Sequence, residues 1–378
     1  MANNNNTKNL NVPNLRFPEF TGEWKETTLG KCVIQPLDYG MNAAAITYDG
    51  ENKYIRITDI DEQSSQYISD SPVSPAGQLL DKYIVEENDI LFARTGASTG
   101  KTYLYKKKDG KLYFAGFLIR AKIKTEYNST FIFAQTKTAQ YYKWVEFMSI
   151  RSGQPGINSQ EYASYRFLIP QKEEQDKIAS LLSLLDERIT TQIKIIEDLK
   201  KLKSSLLDLL FQNNSKWSTY CISEILTIGN GRDYKHLKEG NIPVYGTGGY
   251  MLSVNDYLYE GESVCIGRKG TIDMPMFLTG KFWTVDTLFY THNFRNILPK
   301  FCYYLFTMIN WQRYNEASGV PSLSKATIEK IKVSVPSINE QVYICSILDS
   351  VNNKIDVERS ILNEFKKQKQ HLLQQMFV

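Results

Sequence analysis

Residues 152–212 and 318–378 are two copies of one segment, aligned without a gap. Ser152-Gly153-Gln154-Pro155 meets Ser318-Gly319-Val320-Pro321, and Pro170 with Glu174-Gln175 meets Pro336 with Glu340-Gln341. Leu206-Leu207 with Phe211 then meets Leu372-Leu373 with Phe377. A repeat of such long period dictates architecture before local propensity does. Upstream the likeness weakens: Trp24 corresponds to Trp217, and Asp89 to Gly96 resembles Ser263 to Gly270. The stretch from Trp24 to Ser152 is longer than that from Trp217 to Ser318, and the two share little else. A duplicated scaffold carries two different front parts.

The repeated back parts read as long helices. Leu182, Ile189 and Ile196 fall at one heptad position, and Leu185, Leu199 and Leu206 at the other. Gln192 and Lys203 interrupt this seam, but no Gly or Pro occurs between Gln171 and Gln212. At 1.5 Å per residue such a helix would be about 60 Å long. The second copy places Leu348, Ile355 and Leu362 at one position and Val351, Phe365 and Leu372 at the other. Two matching apolar seams in one chain predict an antiparallel coiled coil. Ile178, Leu181, Ile193, Ile195, Leu202 and Leu209 widen the stripe beyond a two-helix seam. Either the chain's own domains cover that excess or a further partner does.

The front parts read as α+β with strands dominant. Asp89 to Phe92, Phe114 to Ile123, Ser263 to Ile266 and Phe282 to Tyr290 are short β-branched and aromatic runs cut by Gly, Asn and Asp. Thr130 to Val145 and Pro299 to Tyr314 are aromatic-rich and predict helices.

Several function classes have no support. No apolar run reaches the roughly 20 residues that span a bilayer. The five cysteines are scattered without Cys-x-x-Cys spacing, as suits reduced thiols in a cytoplasmic protein. His236, His292 and His371 lie far apart, without metal-ligand spacing. Gly96-Ala97-Ser98-Thr99-Gly100-Lys101-Thr102 imitates a phosphate-cradling loop, but three residues separate its glycines where four are needed. There is no Gly-x-Ser-x-Gly elbow and no Asn-Pro-Pro-Tyr-type motif for methyl transfer to a base. An enzyme active site is therefore not expected.

What remains are basic and amide-bearing loops at matching places in the two halves. The net charge is +4, and the helical segments contribute none of it: 171–212 holds seven Lys/Arg against eight Asp/Glu, and 337–378 five against five. The basic surplus thus lies on the front parts, where phosphates could be met. Arg94 and Thr95 follow one strand, and Arg268 and Lys269 the equivalent one. Arg151, Ser152 and Gln154 are matched by Ser318 in the second pair of loops. Arg reads guanine edges, and both Arg and Lys hold phosphates. Lys101 and Arg120 complete the candidate nucleic-acid contacts, with Lys53, Arg56, Lys122, Arg232, Lys235 and Lys281 behind them. A surface ion pair is the ordinary role of any one of these; the repetition of the loops is what singles out the pairs.

Together these features resemble the specificity subunit of type I restriction–modification enzymes over nearly the whole chain. Arg16-Phe17-Pro18-Glu19-Phe20 with Gly22-Glu23-Trp24 carries the likeness, as does Asn88-Asp89-Ile90-Leu91 with Arg94-Thr95-Gly96. So do Ile169-Pro170 with Glu174-Gln175 and Lys177-Ile178-Ala179, and their counterparts Val335-Pro336, Glu340-Gln341 and Ile344. The second helix departs from the first, with Asn352-Asn353 in place of Asp186-Glu187.

The polar N-terminus, Met1-Ala2-Asn3-Asn4-Asn5-Asn6-Thr7-Lys8, predicts a flexible tail over 1–15, and the resemblance implies target-recognition domains over 16–170 and 213–336. Helical spacers over 171–212 and 337–378 would pair and fix the gap between two unlike half-sites in double-stranded DNA. Two methyltransferase subunits binding S-adenosylmethionine and two motor–nuclease subunits using ATP and Mg would assemble on this chain. No cofactor, metal or membrane would be its own. Two other readings stay open: a coiled-coil adaptor without DNA affinity, and an NTPase built on the Gly96–Thr102 loop.

Overall fold

The computed structural model describes residues 11–150, 154–212 and 216–378. The chain forms two compact units, one of residues up to Gln192 with Ile361–Val378, the other Ile193–Ser360. The division crosses both long helices, Lys172–Gln212 and Ile338–Gln375. Each unit therefore holds the start of one helix and the end of the other.

In the first unit, Lys25–Thr28 runs antiparallel to Arg166–Ile169, with Lys25 opposite Ile169. An antiparallel sheet follows in the order Asp38–Tyr39, Leu118–Lys122, Asp89–Ala93, Thr102–Leu104. All of Asp89–Ala93 is buried, and its alternating side chains serve two cores. Ile90 and Phe92 join Phe131, Tyr141 and Tyr162 on one face, while Leu91 and Ala93 join Ile55, Tyr103 and Phe114 on the other.

The second unit repeats the frame. Ser218–Cys221 runs antiparallel to Lys332–Val335, with Ser218 opposite Val335. Its main sheet is ordered Thr227–Asn230, Leu288–His292, Ser263–Gly267, Met276–Leu278. A second four-stranded sheet, Gly249–Val254, Glu239–Gly246, Lys281–Thr284 and Tyr259–Glu260, replaces the small strand pairs of the first unit.

The aromatic stretch expected as one helix from Thr130 to Val145 is two, Ser129–Gln135 and Ala139–Ser149. Threonine hydroxyls make the break. Thr136 donates to Phe133 O at 2.7 Å, and Thr138 caps the next helix by accepting from Tyr141 N–H at 3.3 Å. Likewise Pro299–Met308, with Pro at its first turn, stops before a short 3-10 turn at Trp311–Tyr314.

The long helices run antiparallel in each unit. In the first, Lys369 pairs with Asp186 at 2.5 Å, and Phe377 stacks on Phe131 at 5.2 Å and meets Trp24 edge-on. In the second, Phe211 stacks on Phe301 at 5.4 Å and meets Trp217 edge-on. The expected seam is the packed one: Leu182, Leu185, Ile196, Leu348 and Ile355 are buried. Ile189, Leu199, Leu206, Val351, Leu362, Phe365 and Leu372 are half-buried. The excess stripe divides. Ile178 and Leu181 belong to the first unit's core, whereas Ile193, Ile195, Leu202 and Leu209 stay exposed.

The repeated Glu-Gln pair has a structural task. Gln175 accepts from Asn128 N–H at 3.0 Å and donates to Pro170 O at 2.9 Å. Gln341 accepts from Leu298 N–H at 2.7 Å and donates to Pro336 O at 2.9 Å. One amide side chain thus joins the start of a long helix to the start of an aromatic one. Of the expected tail, residues 1–10 lie outside the described residues. Residues 11–15 are tied down: Asn11 O accepts from Trp24 N–H, and Leu15 N–H donates to Gln375 O.

Candidate nucleic-acid interface

The two pairs of loops singled out by the repeat meet each other, and in the same way twice. Where Asp89–Ala93 ends, Arg94 O accepts from Ile157 N–H at 2.9 Å, and Gly96 N–H donates to Pro155 O at 2.9 Å. Where Ser263–Gly267 ends, Arg268 O accepts from Leu323 N–H at 2.9 Å, and Gly270 N–H donates to Pro321 O at 2.8 Å. Thr95 bridges Gly156, and Lys269 bridges Ser322, both antiparallel. Main-chain groups form most of each clip, with Thr99 Oγ1 donating to Pro155 O at 3.3 Å in the first; Arg268 and Lys269 at the second tip are exposed, while Arg94 and Thr95 at the first are half-buried.

Glycine is required at the turn. Gly96 and Gly270 have φ of +74° and +91°, which costs a side-chain-bearing residue strain. A Cβ at Gly96 would in addition lie 3.0 Å from Gln154 Nε2.

Arg94 makes no ion pair among the described residues; its guanidinium lies 4.9 Å from the centre of the Tyr39 ring. Tyr39 in turn accepts from Ser159 N–H at 3.2 Å. Beside them lies an open groove of about 790 Å³ whose lining includes Tyr39, Met41, Arg56, Arg94, Gly116 and Phe117. Phe117 is 62% exposed. In the second unit Arg268 and Lys269 are exposed and likewise without ion pairs among the described residues. A groove of about 710 Å³ there is lined by Tyr234, Lys235, Lys238, Tyr250 and Met251 among others.

The other candidates separate by burial. Gln154 and Ser318 are exposed at the clips, and Thr95 is half-buried. Arg151 and Ser152 lie outside the described residues. Lys101 donates to Ile60 O at 3.1 Å, and its loop enters a strand, Thr102–Leu104, instead of the long helix that a nucleotide loop needs.

Arg120 is a correction. It is only 4% exposed, in mid-sheet opposite Leu91, with a two-nitrogen grip on Asp38 at 3.1 and 2.7 Å. It also lies 3.6 Å from buried Asp89 and donates to Ile84 O and Lys82 O. With every donor turned inward it holds the fold and has none left for a phosphate. Arg56 forks onto Asp59, Lys53 donates to Asp109 O, and Lys122 and Lys281 pair with Glu86 and Glu260. Arg232 and Lys235 are exposed without ion pairs among the described residues.

Tyr39 and Phe117 were not singled out by the sequence. The available signal was Ala115-Gly116-Phe117, a turn-like break inside an apolar run, which leaves an aromatic residue where strands cannot cover it. Burial pushes the Cys32 thiol up to about 11 and Cys265 up to about 12, so neither is a nucleophilic thiolate at neutral pH. Among the described residues no group of His, Cys, Asp and Glu could hold a metal, and no helix is long and apolar enough to cross a membrane.

The family model described as type I restriction modification DNA specificity domain matches residues 41–201 and again 214–367. The chain belongs to the type I restriction–modification specificity subunit family. The type I restriction enzyme MjaVIII specificity subunit of Methanocaldococcus jannaschii is 22% identical over 372 residues, covering 82% of this chain and 83% of that one. The type I restriction enzyme EcoprrI specificity subunit of Escherichia coli is 28% identical over 108 residues, covering 28% and 27%. The crystal structure of the type I restriction–modification S subunit from M. genitalium matches with a TM-score of 0.65 at 19% identity, covering 97% of this chain and 99% of that one. A structure solved for complex assembly and conformational transition of the type I system matches at 0.59 and 13%, covering 93% and 96%. At these identities the structural likeness carries the fold: two mixed domains with paired long helices. This specificity subunit shares that frame over nearly its full length.

Proposed function

We propose that this specificity subunit reads an asymmetric, two-part sequence in double-stranded DNA. Residues 16–170 read one half-site and 213–336 the other, and the helical spacers over 171–212 and 337–378 set the gap. The observation that carries the reading is the twice-built main-chain clip, which presents unlike side chains in the two units: Arg94, Thr95 and Gln154 in one, Arg268, Lys269 and Ser318 in the other. Identical frames with different tips are what two different half-sites require. Arg94 and Arg268 are the guanine readers, and Lys269 holds phosphate.

Chemistry falls to partners. Two methyltransferase subunits bearing S-adenosylmethionine dock on the helices, and two motor–nuclease subunits using ATP and Mg complete the cytoplasmic complex. Ile193, Ile195, Leu202 and Leu209, apolar and exposed on the first long helix, support a docking face.

The test is a base-resolution methylation map of DNA from cells expressing the chain with its modification subunit, against cells lacking only this chain. New adenine marks in two unlike half-sites at a fixed gap are expected. No new mark, beside a modification subunit active with another specificity chain, would leave the adaptor reading.

A further inference from the structure

The two clips are superficially alike, but the residue behind each reader arginine differs. Arg94 N–H donates to Phe117 O at 3.1 Å, and Arg268 N–H donates to Thr287 O at 2.8 Å. The strand registers make these positions equivalent: Leu118 pairs with Ala93 directly after Phe117, and Leu288 pairs with Gly267 directly after Thr287. One unit therefore carries a large aromatic side chain where the other carries a small hydroxyl.

Phe117 is 62% exposed, beyond what its short turn needs for folding. It shares the lining of its groove with Arg94, which has no ion pair among the described residues, with Tyr39, against whose ring Arg94 lies, and with Met41, Ala43 and Ile57 among others. A cation beside an uncovered aromatic at the tip of a groove-facing loop suits a duplex, where Arg takes a base edge and an apolar wedge enters a base step.

Resting on the proposed DNA-reading function, we propose that Phe117 inserts at a base step of the half-site read by the first unit, partly unstacking it, and that the second half-site is read without such a wedge. The step is pyrimidine–purine, since those unstack most easily. Specificity at that step then comes from deformability as well as from hydrogen bonding.

The experiment uses the full chain assembled with its modification subunit and duplexes of the mapped target carrying 2-aminopurine at one position at a time. On binding, apart from the methylated adenines that the modification subunits flip out in both half-sites, fluorescence should rise at one further step of one half-site and at no further position of the other. The rise should vanish in Phe117→Ala and persist in Phe117→Trp. Because Phe117 is exposed, both variants should melt as the parent does. Bound parent complex with no bright position besides those adenines, or equal brightness at the further step in Phe117→Ala, would overturn the wedge while leaving DNA reading intact. Failure of the parent assembly to bind the duplex at all would overturn both.

Discussion

Arg16 grips Glu174 with two nitrogens, Nε at 2.8 Å and Nη2 at 2.7 Å, and the carboxylate is 1% exposed. The Trp24 indole N–H adds a third donor at 3.2 Å. In the second unit Glu340 is exposed and, among the described residues, its carboxylate accepts from the Trp217 indole alone, at 3.0 Å. Glu174→Ala strips a partner from a half-buried guanidinium and a buried indole together. It should cost about 1.5–3 kcal/mol, as for hydrogen bonds to a charged group, since the guanidinium left behind reaches water and keeps Gly22 O and Thr21 O. Glu340→Ala should cost on the order of 1 kcal/mol, one hydrogen bond's worth. Urea unfolding of the two variants separates the values; equal losses would refute the difference in role.

Arg94→Ala and Arg268→Ala should each weaken a different half-site, by about 1–3 kcal/mol for a lost bidentate base contact. Fluorescence anisotropy on single-base variants of the target checks this. Discrimination should relax at one position in one half-site for each variant. Loss spread evenly over all sequences would make these residues phosphate contacts instead.

Lys269→Ala should lower affinity for every sequence alike. The slope of log affinity against log salt should become shallower by about 0.9, the value for one phosphate contact. An unchanged slope would remove Lys269 from the interface.

Arg120→Ala should act on folding. It leaves Asp89 buried without its cation, at a cost of about 3–5 kcal/mol. Thermal melting should show a large drop, while the methylated sequence at permissive temperature stays that of the parent. A changed target with parent stability would reverse the assignment.

Lys137 gives a pH dependence. Its ammonium donates to Ser65 Oγ at 2.7 Å and Thr102 Oγ1 at 2.6 Å, and burial pushes its pKa down to about 7. An unburied lysine titrates near ~10.4. Between those values the unfolded chain binds the extra proton, so this residue's contribution makes stability rise with pH across the window. Lys137→Met should flatten that rise in unfolding measured from pH 7 to pH 9.5. A parent and variant with parallel pH profiles would sink the idea.

Much of the frame was legible because its signals are periodic or repeated. The seam from Leu182 to Leu206 and from Leu348 to Leu372 is a one-dimensional pattern, and a helix converts it directly into a face. Arg94 with Gly96 and Arg268 with Gly270 could be found because they occur twice. The meeting of those loops with 154–157 and 320–323 could not be foreseen, since it depends on main-chain pairing that side-chain identity does not encode. Arg120 misled for a related reason. Its decisive partners, Asp38 and Ile84 O, are brought to it only by the sheet. The helix break after Gln135 was hidden because Thr136 and Thr138 compete with an apolar pattern through hydroxyls. Glu174 and Gln175 were visible as a motif, but the hold of Glu174 on Arg16 and Trp24 and the link Gln175 makes between two helix starts arise only in the fold.

The clips at Arg94–Gly96 and Arg268–Gly270 are fastened by N–H and C=O groups that every residue but proline possesses. Stability and discrimination are thereby assigned to different atoms of the same few residues. On the proposed DNA-reading function, substitutions at 94, 95, 154, 268, 269 and 318 would change what is read without loosening what holds the reader. A new target sequence is then reachable through single changes that leave the fold's energy almost untouched, and each half can drift toward its own recognition site independently of the other.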